Sequence, residues 1–126
     1  MNTNDIKTPK DILPDGFYKV VQITIDGTEG IYFVEDKGGV RHAMILRSVL
    51  DLEGISYNEI RGLQGIMPDI RGDRYFVSGM GGARVLAKLV LLFGSSMDYG
   101  VHIAEGPLEM IQINHPEWRF KVSKKR

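Results

Sequence analysis

The sequence contains no cysteine, so disulfides, thiolate nucleophiles and every zinc site that needs sulfur are excluded. It also carries no net charge, because 16 Lys and Arg residues balance 16 Asp and Glu residues. Such a chain exerts no overall electrostatic attraction on nucleic acid or on an anionic membrane. We therefore rank nucleic acid low among the partners, expect no membrane, and note that self-association meets little charge repulsion.

Long apolar runs are missing as well. The longest run, Leu89–Phe93, is far too short to span a bilayer. Residues 1–5 are polar and lack the apolar core of a secretion signal. The sequence therefore predicts a cytoplasmic protein.

Known metal-binding and catalytic motifs are not found either. None of the histidines, His42, His102 and His115, has a partner at metal-ligand spacing. Ser78 precedes a glycine, but Phe76 stands where the nucleophile elbow of serine hydrolases requires another glycine. Cofactors thus stay unknown, and a small hydrolase or nuclease ranks below a non-catalytic function.

What is present is an ordinary globular composition. Of the 126 residues, 43% are hydrophobic and 25% are charged, which suffices for one core without disulfides. Residues 1–15 are polar and contain two prolines, which indicates a flexible N-terminal arm. We predict one domain over residues 16–122, followed by a basic tail at 123–126.

The first half of the domain has the alternating pattern of strands. Residues 17–26 alternate apolar and polar side chains, and Asp26–Gly27 is typical of a hairpin turn. With strands at 31–35 and 40–46, this pattern predicts a three-stranded antiparallel meander. Later strands are predicted at 74–79, 101–105, 110–114 and 118–122.

Helical patterns follow the meander. Residues 83–93 (ARVLAKLVLLF) are strong helix formers and apolar nearly all round, which predicts one long, largely buried helix. Shorter helices are predicted at 47–53 and after Ser56, where Glu59 completes a capping-box pattern. The fold class is therefore α+β, a mostly antiparallel sheet packed on the 83–93 helix.

A glycine-rich junction between the predicted strand and helix is the candidate site. Backbone N–H groups of Gly79, Gly81 and Gly82 would point at one spot near the positive end of the helix. Arg84 would add a bidentate contact, and Lys88 lies one turn further on the same face. This arrangement predicts a site for a small anion, although the glycines match neither a P-loop nor a dinucleotide fingerprint. The alternative is that they only let a helix pack closely.

Two functions follow from these patterns. The first is a non-catalytic binding module for a small anionic ligand. The alternative is a structural or protein–protein interaction domain that acts as a homo-oligomer through apolar surface near residues 83–93. The C-terminal segment also interleaves Trp118 and Phe120 with Arg119 and Lys121, a pattern that suits single-stranded nucleic acid.

Overall fold

The computed structural model of the protein describes residues 1–62 and 65–123. Most of the predicted basic tail at 123–126 therefore lies outside the described residues. The elements follow a 3-10 turn at Thr3–Asp5, in the order β1 (Gly16–Ile25), β2 (Thr28–Glu35), α1 (His42–Leu52), β3 (Glu59–Gly62), β4 (Gly65–Pro68), β5 (Tyr75–Leu86), β6 (Leu89–Phe93), α2 (Leu108–Asn114) and β7 (Arg119–Val122). Within the described ranges, no helix has the length and apolar character needed to cross a membrane.

One five-stranded sheet organises the chain, in the strand order β2-β1-β5-β6-β7. Strands β1, β2, β5 and β6 pair antiparallel, whereas β6 and β7 pair parallel. Strands β3 and β4 form a separate two-stranded sheet. The α+β class and the mostly antiparallel sheet are thus confirmed.

The β1–β2 hairpin forms where the sequence predicts it. Asp26 and Gly27 have φ values of 49° and 82°, the left-handed conformation that a two-residue turn between twisted strands requires. Arg74 braces this turn, because its Nε and Nη2 atoms donate to the Asp26 carboxylate at 3.0 and 2.7 Å. The turn is consequently tied to the start of β5.

The predicted long helix at 83–93 is wrong, since these residues form the second half of β5 and all of β6. A two-residue turn joins the strands, and Ala87 adopts a φ of 57° there. Alternate side chains from Ala83, Val85, Val90 and Leu92 are buried on one face of the sheet. Pairing of β5 with β1 and β6 therefore outweighs the helix propensity of the segment.

The predicted third strand of the meander, residues 40–46, is also wrong, because α1 begins at His42. Asp98 stabilises this helix start: its carboxylate accepts from the Ala43 N–H at 3.1 Å and pairs with Arg41. This capping residue lies 57 positions from Arg41 along the chain. Helix α1 then runs through most of the predicted 47–53 helix.

Of the remaining predicted elements, some are confirmed and others are wrong. Strands β5 and β7 confirm the predictions at 74–79 and 118–122. No helix follows Ser56, because residues 59–62 form β3; residues 110–114 lie in α2 instead of a strand. Residues 101–105 are irregular and make one isolated bridge, between Ser95 and His102.

Two cores cover the two faces of the sheet. Helix α1 packs on one face, which we call the α1 face, over residues such as Val21, Val77 and Met80. Helix α2 and Trp118 pack on the other, the α2 face, over residues such as Val20 and Phe33. Because the α1 core covers β2, most of β1 and the first half of β5, the part of this face formed by the second half of β5, β6 and β7 stays open.

Candidate functional site

The three glycines of the predicted anion site lie inside strand β5 instead of a loop. Gly79 and Gly81 face the α2 side, where residues 102–104 cross the sheet in close contact. A Cβ atom on Gly79 would lie 2.7 Å from the Ala104 nitrogen and 2.9 Å from the His102 oxygen. This contact supports the packing role of the glycines. The helix that the anion site required is a hairpin, so anion binding there stays a prediction without its supporting geometry.

The two predicted cations of the site are separated by the hairpin. Arg84 projects from β5 on the α1 face, and its guanidinium carbon lies 5.5 Å from the centre of the Phe17 ring. Lys88 lies in the turn between β5 and β6, with its Nζ 4.4 Å from the centre of the Trp118 ring. Arg84 therefore lies beside Phe17 and the residues paired with it, and not beside Lys88.

These neighbours are given by the pairing register, because paired residues of adjacent strands project on the same face. Three rows run across the uncovered part of the α1 face. They are Leu86–Leu89–Arg119, Phe17–Arg84–Leu91–Lys121 and Lys19–Gly82–Phe93. We call these ten positions the open face. Four of them are cationic, and none is acidic.

The open face is accessible to solvent. Phe17 and Leu86 are 55% and 49% exposed, which is high for large apolar side chains in a sheet. Arg84, Arg119 and Lys121 are also exposed, and Phe93 is half-buried. Large apolar side chains that stay exposed together on a folded chain mark interaction surfaces.

The dimensions of the open face follow from strand geometry. Four strands about 4.8 Å apart and three rows about 7 Å apart give a platform of roughly 14 by 14 Å. Phe17 and Phe93 lie two strands and one row apart, or about 12 Å. Arg84 lies between them beside Phe17, which keeps its guanidinium over the sheet surface.

The buried polar residues near the open face serve structure. His42 is buried, and its Nε2 lies 2.8 Å from the Gly81 carbonyl oxygen, to which it donates. Gln22 is fully buried and exchanges two hydrogen bonds with the Ala104 backbone. These groups hold α1 and residues 102–104 against β5.

The pKa of His42 gives a prediction about pH. Burial lowers this pKa below the ordinary value of 6.5. The unfolded chain therefore takes up the proton first, so the contribution of His42 to stability is fully present above about pH 6.5 and declines as the pH falls below that value, by at most about 1.4 kcal/mol per pH unit. Urea unfolding from pH 7.5 to 5 should show this loss, and His42→Gln should remove its share. An equal loss in the variant would contradict the assignment.

Across residues 1–62 and 65–123, no group of three or more His, Asp or Glu side chains could hold a metal ion. Neither a protein-family model nor a curated protein matches the chain. The chemistry of the open face is therefore the main guide to its function.

The sequence pattern held one signal for the open face. In the C-terminal segment, Arg119 and Lys121 alternate with Trp118 and Phe120, and a strand separates such residues onto two faces. Trp118 is buried, with its Nε1 donating to the Pro9 oxygen at 2.8 Å, while both cations project on the open face. Without the 83–93 hairpin, however, nothing in the sequence places these cations beside Phe17 and Arg84.

Proposed function

We propose that the protein is a non-catalytic binding module that holds single-stranded nucleic acid on the open face. The observation that supports this most directly is the combination of two phenylalanines and four cations, without a carboxylate, on one uncovered area of sheet. Single strands are bound by this combination elsewhere, because bases stack on aromatic rings while cations follow the phosphates. The open face includes Arg84 and Gly82 of the predicted anion site but not Gly79, Gly81 or Lys88.

The cations supply the attraction that the net charge of the chain does not. Lys19, Arg84, Arg119 and Lys121 are concentrated on a platform of roughly 14 Å, so the local field is positive although the total charge is zero. Each phosphate that is neutralised releases counterions, which lowers affinity as salt rises. Binding through the open face is therefore expected to depend strongly on ionic strength.

The aromatic rings supply the contact with the bases. Stacking of one base on one ring contributes about 1–3 kcal/mol, as measured by alanine substitution, and tolerates any base. The separation of about 12 Å between Phe17 and Phe93 is close to twice the length of one nucleotide in an extended strand. We infer that the rings receive alternate bases and that Arg84, which lies between the rings on β5, contacts the base between them.

The charge of the open face does not favour self-association through this surface. A two-fold dimer would place the same patch against itself. Its four cations would then meet the four of the second copy, with no acidic residue among the ten positions to compensate. A homo-oligomer stays a prediction for other surfaces of the chain.

The test is fluorescence anisotropy with a labelled twelve-nucleotide oligo-dT or oligo-U strand. Phe17→Ala and Phe93→Ala should each raise Kd by about 5- to 150-fold, because each removes one stacking platform. Arg84→Gln should weaken binding and reduce the slope of log Kd against log salt by about 0.7, the value for one phosphate contact on a single strand.

A matched control is Phe76→Ala. Phe76 is 47% exposed, like Phe17, but pairs with Thr24 at the other end of β1 and projects on the α2 face. Its substitution should leave Kd unchanged. No binding at low salt would refute the proposal. Equal binding of polyglutamate, insensitive to Phe17→Ala, would instead indicate an acidic protein partner.

A further inference from the structure

The outer edge of the sheet, along β2, is paired over only part of its length. Lys7 and Phe33 exchange both backbone hydrogen bonds, each at 2.8 Å, so the N-terminal segment adds one antiparallel bridge to this edge. The backbone groups of this edge can therefore pair with another strand, as the pairing of Lys7 with Phe33 shows.

Proline stops this pairing after one bridge. Continuation of the antiparallel register would place Pro9 opposite Ile31, and proline has no N–H to donate to the Ile31 carbonyl. The segment turns away instead: the Thr8 N–H donates to an Asp11 carboxylate oxygen at 2.8 Å, and the Asp11 N–H donates to the Thr8 oxygen at 2.9 Å.

The diverted segment leaves backbone groups of β2 without partners. Residues at alternate positions of a strand direct their N–H and C=O groups to the same side, so Glu29 and Ile31 point outward as Phe33 does. Among the described residues, nothing pairs with these two outward N–H and two C=O groups. They border a groove of about 570 Å³ whose lining includes Pro9, Lys10, Ile111 and His115.

The groove also contains an unmatched acidic group. One carboxylate oxygen of Glu29 is shielded from water and lacks a hydrogen-bond partner in the described chain. Glu53, which accepts from the Tyr32 hydroxyl at 2.8 Å, also lines the groove. Because a shielded carboxylate without a donor is unfavourable, this position favours a ligand that brings a cationic donor.

We propose that the β2 edge at Glu29–Ile31 binds an extended peptide segment as an additional strand, with a lysine or arginine of the peptide directed to Glu29. The backbone of the peptide would pair with the four outward groups, which is the mode of strand addition at an open sheet edge. This site lies at the opposite edge of the sheet from β7 and does not depend on nucleic-acid binding at the open face.

The test uses NMR of the ¹⁵N-labelled full chain with the capped peptide acetyl-Thr-Val-Arg-Val-Arg-Val-Thr-amide. The amide signals of Glu29 and Ile31 should shift and exchange more slowly with solvent. A peptide with N-methylated central residues should bind about tenfold more weakly, because it loses backbone pairing. A peptide with glutamate in place of arginine should also bind more weakly.

Two variants separate backbone from charge. Glu29→Pro removes the outward N–H and the carboxylate, and proline is tolerated at an edge strand whose N–H faces away from the sheet. It should abolish measurable binding, whereas Glu29→Gln, which keeps the N–H, should weaken binding of the arginine peptide but not of the glutamate peptide. Circular dichroism checks that both variants fold.

Three results would overturn the proposal. They are no shift at Glu29 and Ile31 at about 1 mM peptide, equal binding of the N-methylated peptide, and line broadening at these amides that depends on protein concentration alone. The last result would show that a second copy of the chain occupies the edge.

Discussion

Gly79→Ala is expected to lower the free energy of unfolding by about 3 kcal/mol, because overfilling a close-packed interior commonly costs about 1–3 kcal/mol and a contact with backbone leaves less room to adjust. The new Cβ would lie 2.7 Å from the Ala104 nitrogen and 2.9 Å from the His102 oxygen. Both atoms are backbone, so relief requires residues 102–104 to move away from the sheet.

The third neighbour of the new Cβ, the Gln22 side-chain oxygen, is not free to move. Gln22 is fully buried, and its amide exchanges hydrogen bonds with both the nitrogen and the oxygen of Ala104 at 2.9 Å. Displacing it would leave buried backbone groups unpaired, which costs about 1–3 kcal/mol per group. The steric clash of the new Cβ and the loss of the Gln22–Ala104 hydrogen bonds thus both destabilise the contact between β5 and residues 102–104.

Chemical denaturation measures this effect, with Gly106→Ala as the matched control. Gly106 lies in the irregular chain before α2, shortly after residues 102–104, and a Cβ there would meet no atom within 4 Å. The control should change the unfolding midpoint little. Equal stability of Gly79→Ala and the native chain would show that residues 102–104 do not cross β5 as described.

Asp98→Ala is expected to be the second large effect, a loss of about 3 kcal/mol in unfolding free energy. The Asp98 side chain is only 7% exposed, pairs with Arg41, and accepts from the Ala43 N–H at 3.1 Å. Its removal leaves the start of α1 without this acceptor and Arg41 without its counter-charge. The unfolding free energy of Asp98→Asn should lie between those of the native chain and Asp98→Ala, because the amide oxygen still accepts from the Ala43 N–H.

Thermal unfolding of these variants is compared with that of Glu59→Gln. Glu59 pairs with Arg47 at 2.8 Å, but both side chains are more than a third exposed. Exposed ion pairs contribute about 0–1 kcal/mol, so this variant should remain near the native stability. A comparable loss in Asp98→Ala and Glu59→Gln would contradict the role of burial at Asp98.

The parts of the fold that could be predicted are those with local signals. Strand β1 alternates apolar and polar residues, β2 is rich in β-branched and aromatic residues, and the Asp26–Gly27 turn between them is a known hairpin pattern. The β5–β6 hairpin gives no such signal, because its turn residue Ala87 is a strong helix former that adopts a positive φ. Its strands are apolar on both faces, because the open face carries Leu86, Leu89 and Leu91. The sequence of these strands therefore lacks the alternation of apolar and polar residues that indicates a strand.

Helix α1 and the candidate site depend on residues distant in sequence. The carboxylate at the start of α1 comes from Asp98, so residues 40–46 contain no cap of their own, and their sequence pattern predicts a strand. Likewise, the open face draws on four strands, β1, β5, β6 and β7, and only the register brings Phe17, Arg84 and Lys121 into one row. No pattern in one segment can reveal such a surface.

The position of β1 between β2 and β5 sets an order of events during synthesis. The β1–β2 hairpin is complete at Glu35, but the inner partner of β1 ends at Leu86. At roughly 5–20 residues per second, β1 waits several seconds for β5, with its apolar side chains and one backbone edge unpaired. Closing this distant pairing is slow, so the nascent hairpin is the stage at which the chain most needs protection from other strands.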